Sequence, residues 1–204
     1  MIGVNLELAA YQRATQDLVE SVRESLYRVD LAQVEKMVAE MLASTNRRIL
    51  VIGVGRSGLM GRAFAMRLMH LGFHVYVMGE TITPSIGKGD LIIALSGSGT
   101  TKLVVTAAEI GKAVGAKIIA VTSYPDSDLT KLADLVVIIK GRTKVEDEKD
   151  YFLRQLMGEH EPMAPLGTVF EISLMTFLDG IVVELMGRLG LTESELRKRH
   201  ATIE

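Results

Sequence analysis

Residues 96–101 of the chain have the sequence SGSGTT, in which every residue is a glycine or carries a hydroxyl. Hydroxyl groups donate hydrogen bonds to anions, and glycines allow backbone N–H groups to approach an anion closely. A helical pattern follows, and the N-terminus of a helix adds a partial positive charge. The segment therefore predicts a site that binds a phosphate monoester without a metal. The alternative is an ordinary turn before a helix, which the six successive residues of this kind disfavour. Its candidate binding residues are Ser96, Gly97, Ser98, Gly99, Thr100 and Thr101.

A second glycine-rich segment, Gly53–Gly58, has the sequence GVGRSG and also follows an apolar run. It matches G-x-G-x-x-G, which is typical of dinucleotide-binding turns, and Glu80 lies near the distance expected for a ribose-binding acid. Arg56 and Ser57 instead supply a cation and a hydroxyl, which suit a small polar ligand. We predict that Gly55, Arg56 and Ser57 contact a sugar phosphate, and a dinucleotide site remains the alternative.

Glu171 is the candidate general base, because it stands early in a long apolar helical segment. Leu174, Met175 and Leu178 share its face by helical spacing. A carboxylate among apolar neighbours is suited to proton transfer near neutral pH. A glutamate in the first turn can also simply complement the helix dipole, and the spacing alone leaves both interpretations open.

The histidines give no metal-binding pattern, because no two of them have the spacing of metal ligands. His200 stands among cations such as Arg199, which favours a solvated surface position. His70 continues a helical face through Leu59 and Met66, which predicts a packed core histidine. Cysteines are absent, so a thiol nucleophile, a disulfide and a cysteine-ligated metal are excluded. We expect no metal and no cofactor.

The overall composition limits the possible partners. The chain has 204 residues, 48% of them hydrophobic, and a formal net charge of -2. Such a chain can build a real core, and it lacks the basic field that would attract nucleic acid or an anionic membrane. We find no signal-peptide pattern and no apolar run of membrane-spanning length, so we expect a cytoplasmic location.

Short apolar runs alternate with helical patterns, which is typical of parallel strands joined by crossover helices. Nearly every residue of these runs is apolar, as in strands that are covered on both faces. This predicts an α/β fold, a three-layer α/β/α sandwich in one domain spanning residues 1–204. The predicted strands are Ile49–Val54, His74–Met78, Leu91–Leu95, Lys117–Thr122 and Leu135–Ile139.

Helices are predicted between and around these strands. The first two, within residues 1–45, are expected to pack on the core, and Asp30 and Gln33 form a capping-box pattern for the second. A capping box at Thr192 and Glu195 predicts a short last helix that carries His200. The predicted helices are Leu6–Val29, Asp30 to about Ser44, Leu59–Leu71, Thr101–Val114, Asp128–Ala133, a long helix from after Pro165 to about Arg188, and the last helix.

Several segments resemble the sugar isomerase (SIS) family. The pattern S-x-S-x-x-T of residues 96–101 is similar to its phosphate loop, and VIGVGRSG (Val51–Gly58) to its first ligand loop. Thr100 departs from the acidic residue that is frequent there, and Met157–Met163 looks like an insertion. Further segments resemble the branch that isomerises 3-hexulose 6-phosphate: AFAMRLMHLG (Ala63–Gly72), GETITP (Gly79–Pro84), APLGTVFE (Ala164–Glu171) and RHATIE (Arg199–Glu204).

The resemblance implies a flavodoxin-like or Rossmann-like SIS fold with a five-stranded parallel sheet. It also implies an aldose/ketose-type isomerisation between D-arabino-3-hexulose 6-phosphate and D-fructose 6-phosphate, with Glu171 as the base. In such proteins a C-terminal histidine, here His200, can reach a neighbouring subunit's site in a homotetramer. Isomerisation of a pentose or heptose phosphate, sugar-phosphate sensing without catalysis, and dinucleotide binding are the alternatives.

Overall fold

The computed structural model of the chain describes residues 8–141, 165, 167–200 and 202. The Lys144–Asp150 charge run, the predicted insertion Met157–Met163 and most of RHATIE lie outside these residues. The strands are β1 (Arg48–Gly53), β2 (His74–Val77), β3 (Leu91–Leu95), β4 (Lys117–Thr122) and β5 (Leu135–Ile138). The helices are α1 (Ala9–Tyr27), α2 (Leu31–Ala43), α3 (Gly55–Leu71), α4 (Lys102–Ala113), α5 (Asp128–Leu132), α6 (Thr168–Leu189) and α7 (Glu193–Arg197).

The five strands form one parallel sheet in the order β2-β1-β3-β4-β5. β3 lies at its centre, where Leu91 is in register with Ile49 of β1 and Lys117 of β4. All five residues of β3 are buried, as expected for a parallel strand covered on both faces. The predicted five-stranded parallel sheet is confirmed, and its order is that of flavodoxin-like folds.

Helices cover both faces of the sheet, and each face has its own apolar cluster. On one face, Phe64 of α3 and Phe170 of α6 belong to a cluster that also includes residues of α2. On the other face, Val104 of α4 and Leu129 of α5 pack against alternate residues of the same strands. Alternate strand residues enter opposite clusters because successive side chains of a strand point to opposite faces. The predicted α/β/α layering is confirmed.

The N-terminal helices pack on the end of the molecule formed by β5 and α6. Asp30 caps α2, since its carboxylate accepts a hydrogen bond from the Ala32 N–H at 2.8 Å. The predicted capping box is wrong in its second half. Gln33 Oε1 accepts from the Ile138 N–H at 3.0 Å instead, because α2 lies against β5 and its glutamine can satisfy an edge-strand N–H there.

The start of α3 differs from the sequence prediction. The helix begins at Gly55 rather than at Leu59, so that Val54 is its N-cap residue and no extended loop separates it from β1. A Cβ atom on Gly58 would lie 2.8 Å from the carbonyl oxygen of Gly53. This close approach of two backbones is possible only between glycines, and it lets the chain turn directly from strand to helix.

No helix in the described part of the chain combines the length and the apolar character that a membrane span requires.

Candidate functional site

The two glycine-rich segments meet at the carboxyl edge of the sheet. β1 and β3 are neighbours, and the chain leaves β1 into α3 on one face and β3 into α4 on the other. Such a point, at which the connections diverge, opens a crevice where doubly wound sheets bind ligands. The residues following β1 (54–58) and those following β3 (96–101) lie at this point.

The hydroxyl groups of residues 96–101 organise this segment, which we call the hydroxyl loop. Ser96 is buried, and its Oγ accepts from the Gly99 N–H and lies 3.1 Å from Thr101 Oγ1. Ser98 is partly exposed and its Oγ accepts from the Thr100 N–H at 3.3 Å. Thr100 is exposed and Thr101 is half-buried at the N-cap of α4. The structure thus brings the three predicted hydroxyls to the start of a helix, where an anion is stabilised.

Two glycines of this loop have no room for a side chain. A Cβ on Gly97 would lie 2.8 Å from Cδ1 of Phe170. Gly99 has a φ of +65°, a conformation that side chains disfavour, and a Cβ there would overlap the Ser127 hydroxyl. Because Gly97 and Gly99 have no side chains, the loop can pack closely between α6 and the start of α5.

The end of β4 and the residues that follow it support the hydroxyl loop, and this support was not predicted from the sequence. The fully buried Thr122 donates its hydroxyl hydrogen to the Gly97 carbonyl oxygen at 3.2 Å, and the Ser123 N–H donates to the same oxygen. The Leu129 N–H donates to the Gly99 carbonyl oxygen at 3.0 Å. A signal was present in the sequence, because Thr122 follows the apolar residues 118–121 of β4, and a buried hydroxyl at that position requires a hydrogen-bond partner.

Glu171 lies in the first turn of α6 and forms an ion pair with Arg56 in the first turn of α3. The Arg56 Nε–H donates to Glu171 Oε2. The side chain of Glu171 is 13% exposed and that of Arg56 is 57% exposed. Leu174 and Leu178 are buried, as their spacing suggests, and the carboxylate has in addition a cationic partner that the sequence did not predict. The start of α6 packs against α3, and this brings a cation to the carboxylate.

The remaining residues of the first ligand loop are placed at the same edge. Ser57 is half-buried in the first turn of α3. Gly55 is exposed with a φ of +61°, and a Cβ there would meet no atom within 4 Å. The backbone at Gly55 therefore faces open space, so a ligand can approach it.

Glu80, the acid considered for a dinucleotide ribose, forms an ion pair with Arg62 of α3. It lies three residues beyond β2, at the edge of the sheet. A carboxylate already paired with a cation of its own chain is less suited to accept a hydrogen bond from a ribose hydroxyl.

His200 is not brought to this edge within one chain. Its ring stacks on that of His70, with centroids 3.9 Å apart, and Arg199 donates to the His70 carbonyl oxygen at 2.9 Å. His70 is buried as predicted, but not as part of the expected core face, since Leu59 and Met66 on that face are exposed. The C-terminal residues Arg199 and His200 cover it instead. His70 and Arg56 lie about 20 Å apart along α3. A catalytic role of His200 stays a prediction that concerns another subunit.

Comparison with known proteins places the chain in a family. The SIS domain profile matches residues 41–152, which is more than half of the chain and includes both ligand loops. The chain belongs to the SIS domain family. The family resemblance predicted from the two loops is thereby confirmed.

Relatives of this SIS domain extend the match beyond the profile. The chain is 32% identical to the 3-hexulose-6-phosphate isomerase of Bacillus subtilis over 92% of its own length and 96% of the relative. It is 43% identical to the 3-hexulose-6-phosphate isomerase of Methanocaldococcus jannaschii over 77% of both chains. The similarity to this branch, predicted from the later segments, is confirmed.

A solved structure agrees with the fold of this SIS domain. A crystal structure from Methanococcus jannaschii, from which a 3-hexulose-6-phosphate isomerase function was inferred, superimposes with a TM-score of 0.74 at 34% identity. The match covers 95% of this chain and 98% of that one. The SIS fold predicted from the sequence is therefore shared across nearly the full length.

Proposed function

We propose that this chain interconverts D-arabino-3-hexulose 6-phosphate and D-fructose 6-phosphate. The relatives named 3-hexulose-6-phosphate isomerase support the substrate. The observation that carries the proposal is the contact between Gly97 and Phe170. Phe170 directly precedes Glu171, so this contact supports a site in which one small ligand touches both the hydroxyl loop and the Glu171 carboxylate.

The reaction requires a base and a group that stabilises a developing negative charge. Glu171 takes the proton from C2, the C2–H electron pair becomes the C2=C3 bond, and the carbonyl electron pair moves to O3. Glu171, whose carboxyl proton exchanges with water in part of the turnovers, then delivers a proton to C3, while the hydroxyl proton of O2 is transferred to O3 and the C2 carbonyl forms. Atoms and charge balance, and no oxidant or reductant is consumed.

The hydroxyl loop contributes by position, because it lies at the far end of the substrate from the reacting carbons. Ser98 and Thr101 hydrogen-bond the phosphate, and Ser96 holds the loop in shape through Gly99. Holding a remote group in this way fixes C2 and C3 against Glu171 and reduces the entropy lost in the reaction. Ser57 and backbone N–H groups at the start of α3 stabilise the enediolate oxygens.

The two substrates differ in their ring chemistry. The 3-keto sugar cannot close a five-membered ring because its O6 carries the phosphate, so it binds in the open form. Fructose 6-phosphate does cyclise, and its reaction requires ring opening. We assign assistance in that step to His200 of a neighbouring subunit in a homotetramer, because His200 lies far from Glu171 within one chain.

The direct experiment is to incubate the purified protein with D-arabino-3-hexulose 6-phosphate and to follow fructose 6-phosphate by NMR. We expect conversion without added metal and equal rates when EDTA is present. Conversion of a pentose or heptose phosphate but not of the hexulose phosphate would assign a different substrate. Thermal shifts provide a second measurement, in which fructose 6-phosphate should raise the melting temperature more than NAD does.

A further inference from the structure

The guanidinium of Arg56 is hydrogen-bonded to Glu171 through one nitrogen and has two further nitrogens available for a ligand. Its Nε–H donates to Glu171 Oε2, and Glu171 is its only hydrogen-bonding partner among the residues that the structure describes. The two Nη groups therefore make no hydrogen bond to that part of the protein. Since the side chain of Arg56 is 57% exposed, these groups can reach a ligand while Nε remains on the carboxylate.

The two oxygens of the Glu171 carboxylate also differ in their contacts. Oε2 accepts from Arg56, while Oε1 accepts no hydrogen bond from any described residue. Gly167, at the N-cap of α6, has a φ of +90°, and a Cβ there would lie 3.4 Å from Oε1. The missing side chain at Gly167 thus leaves space beside the oxygen that is not engaged, which makes Oε1 the atom placed to accept the substrate proton.

The movement of charge during the reaction explains why one guanidinium should serve both partners. Before proton transfer the negative charge is on Glu171, and after it the charge is on the oxygen of the enediolate. A guanidinium that contacts both the Glu171 carboxylate and the enediolate oxygen lies beside the negative charge before and after the proton transfer. Such fixed donors stabilise developing charge because they need not reorient as it forms.

We propose that Arg56 orients Glu171 through Nε and stabilises the enediolate oxygen through its Nη groups. This inference depends on the proposed function, because it assigns a role in that proton transfer. A planar guanidinium provides several donors in fixed directions, whereas the ammonium of lysine is a single point charge. The role therefore requires arginine and not merely a positive charge.

The experiment compares Arg56→Gln and Arg56→Lys with the matched control Arg62→Gln. Arg62 lies on the same helix and also pairs with a glutamate, but that glutamate is Glu80 at the β2 edge. Two quantities are measured: the exchange of the C3 proton of fructose 6-phosphate in D2O by NMR, and the affinity for fructose 6-phosphate by calorimetry. Melting temperatures verify that each variant is folded.

We expect Arg56→Gln to lower the exchange rate at saturating substrate by about 100-fold or more, the scale of losing one oxyanion donor. Arg56→Lys should recover only part of this rate, the affinity should change by no more than a few-fold, and Arg62→Gln should behave as wild type. Guanidinium added to Arg56→Ala should restore exchange, and ammonium should not.

Two results would separate this inference from the proposed function. If the wild-type protein neither exchanges the C3 proton nor converts D-arabino-3-hexulose 6-phosphate into fructose 6-phosphate, the proposed function fails, and the role of Arg56 fails with it. If the wild type exchanges and Arg56→Gln does so at a similar rate, or loses only affinity, the role of Arg56 alone is wrong.

Discussion

A Cβ atom placed on Gly97 would lie 2.8 Å from Cδ1 of Phe170, so the backbone of the hydroxyl loop rests on the ring beside Glu171. The contact joins two elements that are far apart in sequence. It is held from the other side, where the Thr122 hydroxyl and the Ser123 N–H donate to the Gly97 carbonyl oxygen. We expect this packing to set the distance between a phosphate held by the hydroxyl loop and the carboxylate of Glu171.

Gly97→Ala tests this contact. The added methyl group should force Phe170 and the start of α6 to shift, at a cost of about 1–3 kcal/mol of stability. Turnover should fall more steeply than stability, because small displacements of a catalytic group cost about 100-fold in rate. Chemical denaturation and steady-state kinetics measure the two effects.

Two further variants control this experiment. Phe170→Leu in the Gly97→Ala background removes the clash and should restore part of the activity. Gly187→Ala is the control, because Gly187 lies in α6 like Phe170 but a Cβ there would meet no atom within 4 Å. It should stabilise the protein by up to about 1 kcal/mol. Wild-type stability and turnover in Gly97→Ala would show that the contact does not position Glu171.

Ser98→Ala tests the hydroxyl loop as the phosphate site. Loss of one hydrogen bond to a charged group should weaken fructose 6-phosphate binding by about 1–3 kcal/mol. Binding is measured by calorimetry, with inorganic phosphate as a second ligand that should show the same loss. Thr106→Ala, on the exposed face of α4, is the control and should bind normally. Unchanged affinity in Ser98→Ala would mean that the phosphate lies elsewhere.

Glu35→Gln tests the connection between α2 and α6. Hydrogen bonds from the Arg188 guanidinium, at 2.7 and 2.5 Å, hold the pKa of Glu35 below its ordinary value of 4.5. A lowered pKa in the folded state contributes stability above the unfolded value, and the contribution is lost as the pH falls through the folded value.

The melting temperature of Glu35→Gln should therefore be slightly below that of wild type at neutral pH and equal to it well below pH 4.5. High salt should reduce the difference at neutral pH, because the pair is at the surface. If the melting temperature of Glu35→Gln stays below that of wild type in acid, the loss of stability comes from packing and not from the ion pair.

Mixed oligomers test His200. Glu171→Gln subunits lack the proposed base and His200→Ala subunits lack the proposed ring-opening group, so each variant alone should turn over fructose 6-phosphate poorly. If His200 acts in a neighbouring subunit's site, unfolding and refolding the two together should create sites with both groups and restore activity. A mixture no more active than the average of its components would contradict the assignment.

The layers and strands could be predicted because each strand is nearly all apolar and each helix has a periodic face. The start of α3 could not, since the direct turn at Gly53 depends on contact with Gly58 and not on local propensity. The hydroxyl loop was recognisable because all its residues are consecutive. The pairing of Arg56 with Glu171 was not, because it joins the first turns of two helices that only tertiary packing brings together.

The proposed proton transfer by Glu171 is tested by following the C3 proton of fructose 6-phosphate in D2O by NMR, with the wild type and with Glu171→Gln. The wild type should place deuterium at C3, as required by an enediol across C2 and C3, and none at C1. Glu171→Gln should bind fructose 6-phosphate by calorimetry yet leave C3 unlabelled. Labelling of C3 by Glu171→Gln at the wild-type rate would mean that Glu171 is not the base, and labelling of C1 instead of C3 by the wild type would mean that the enediol does not span C2 and C3.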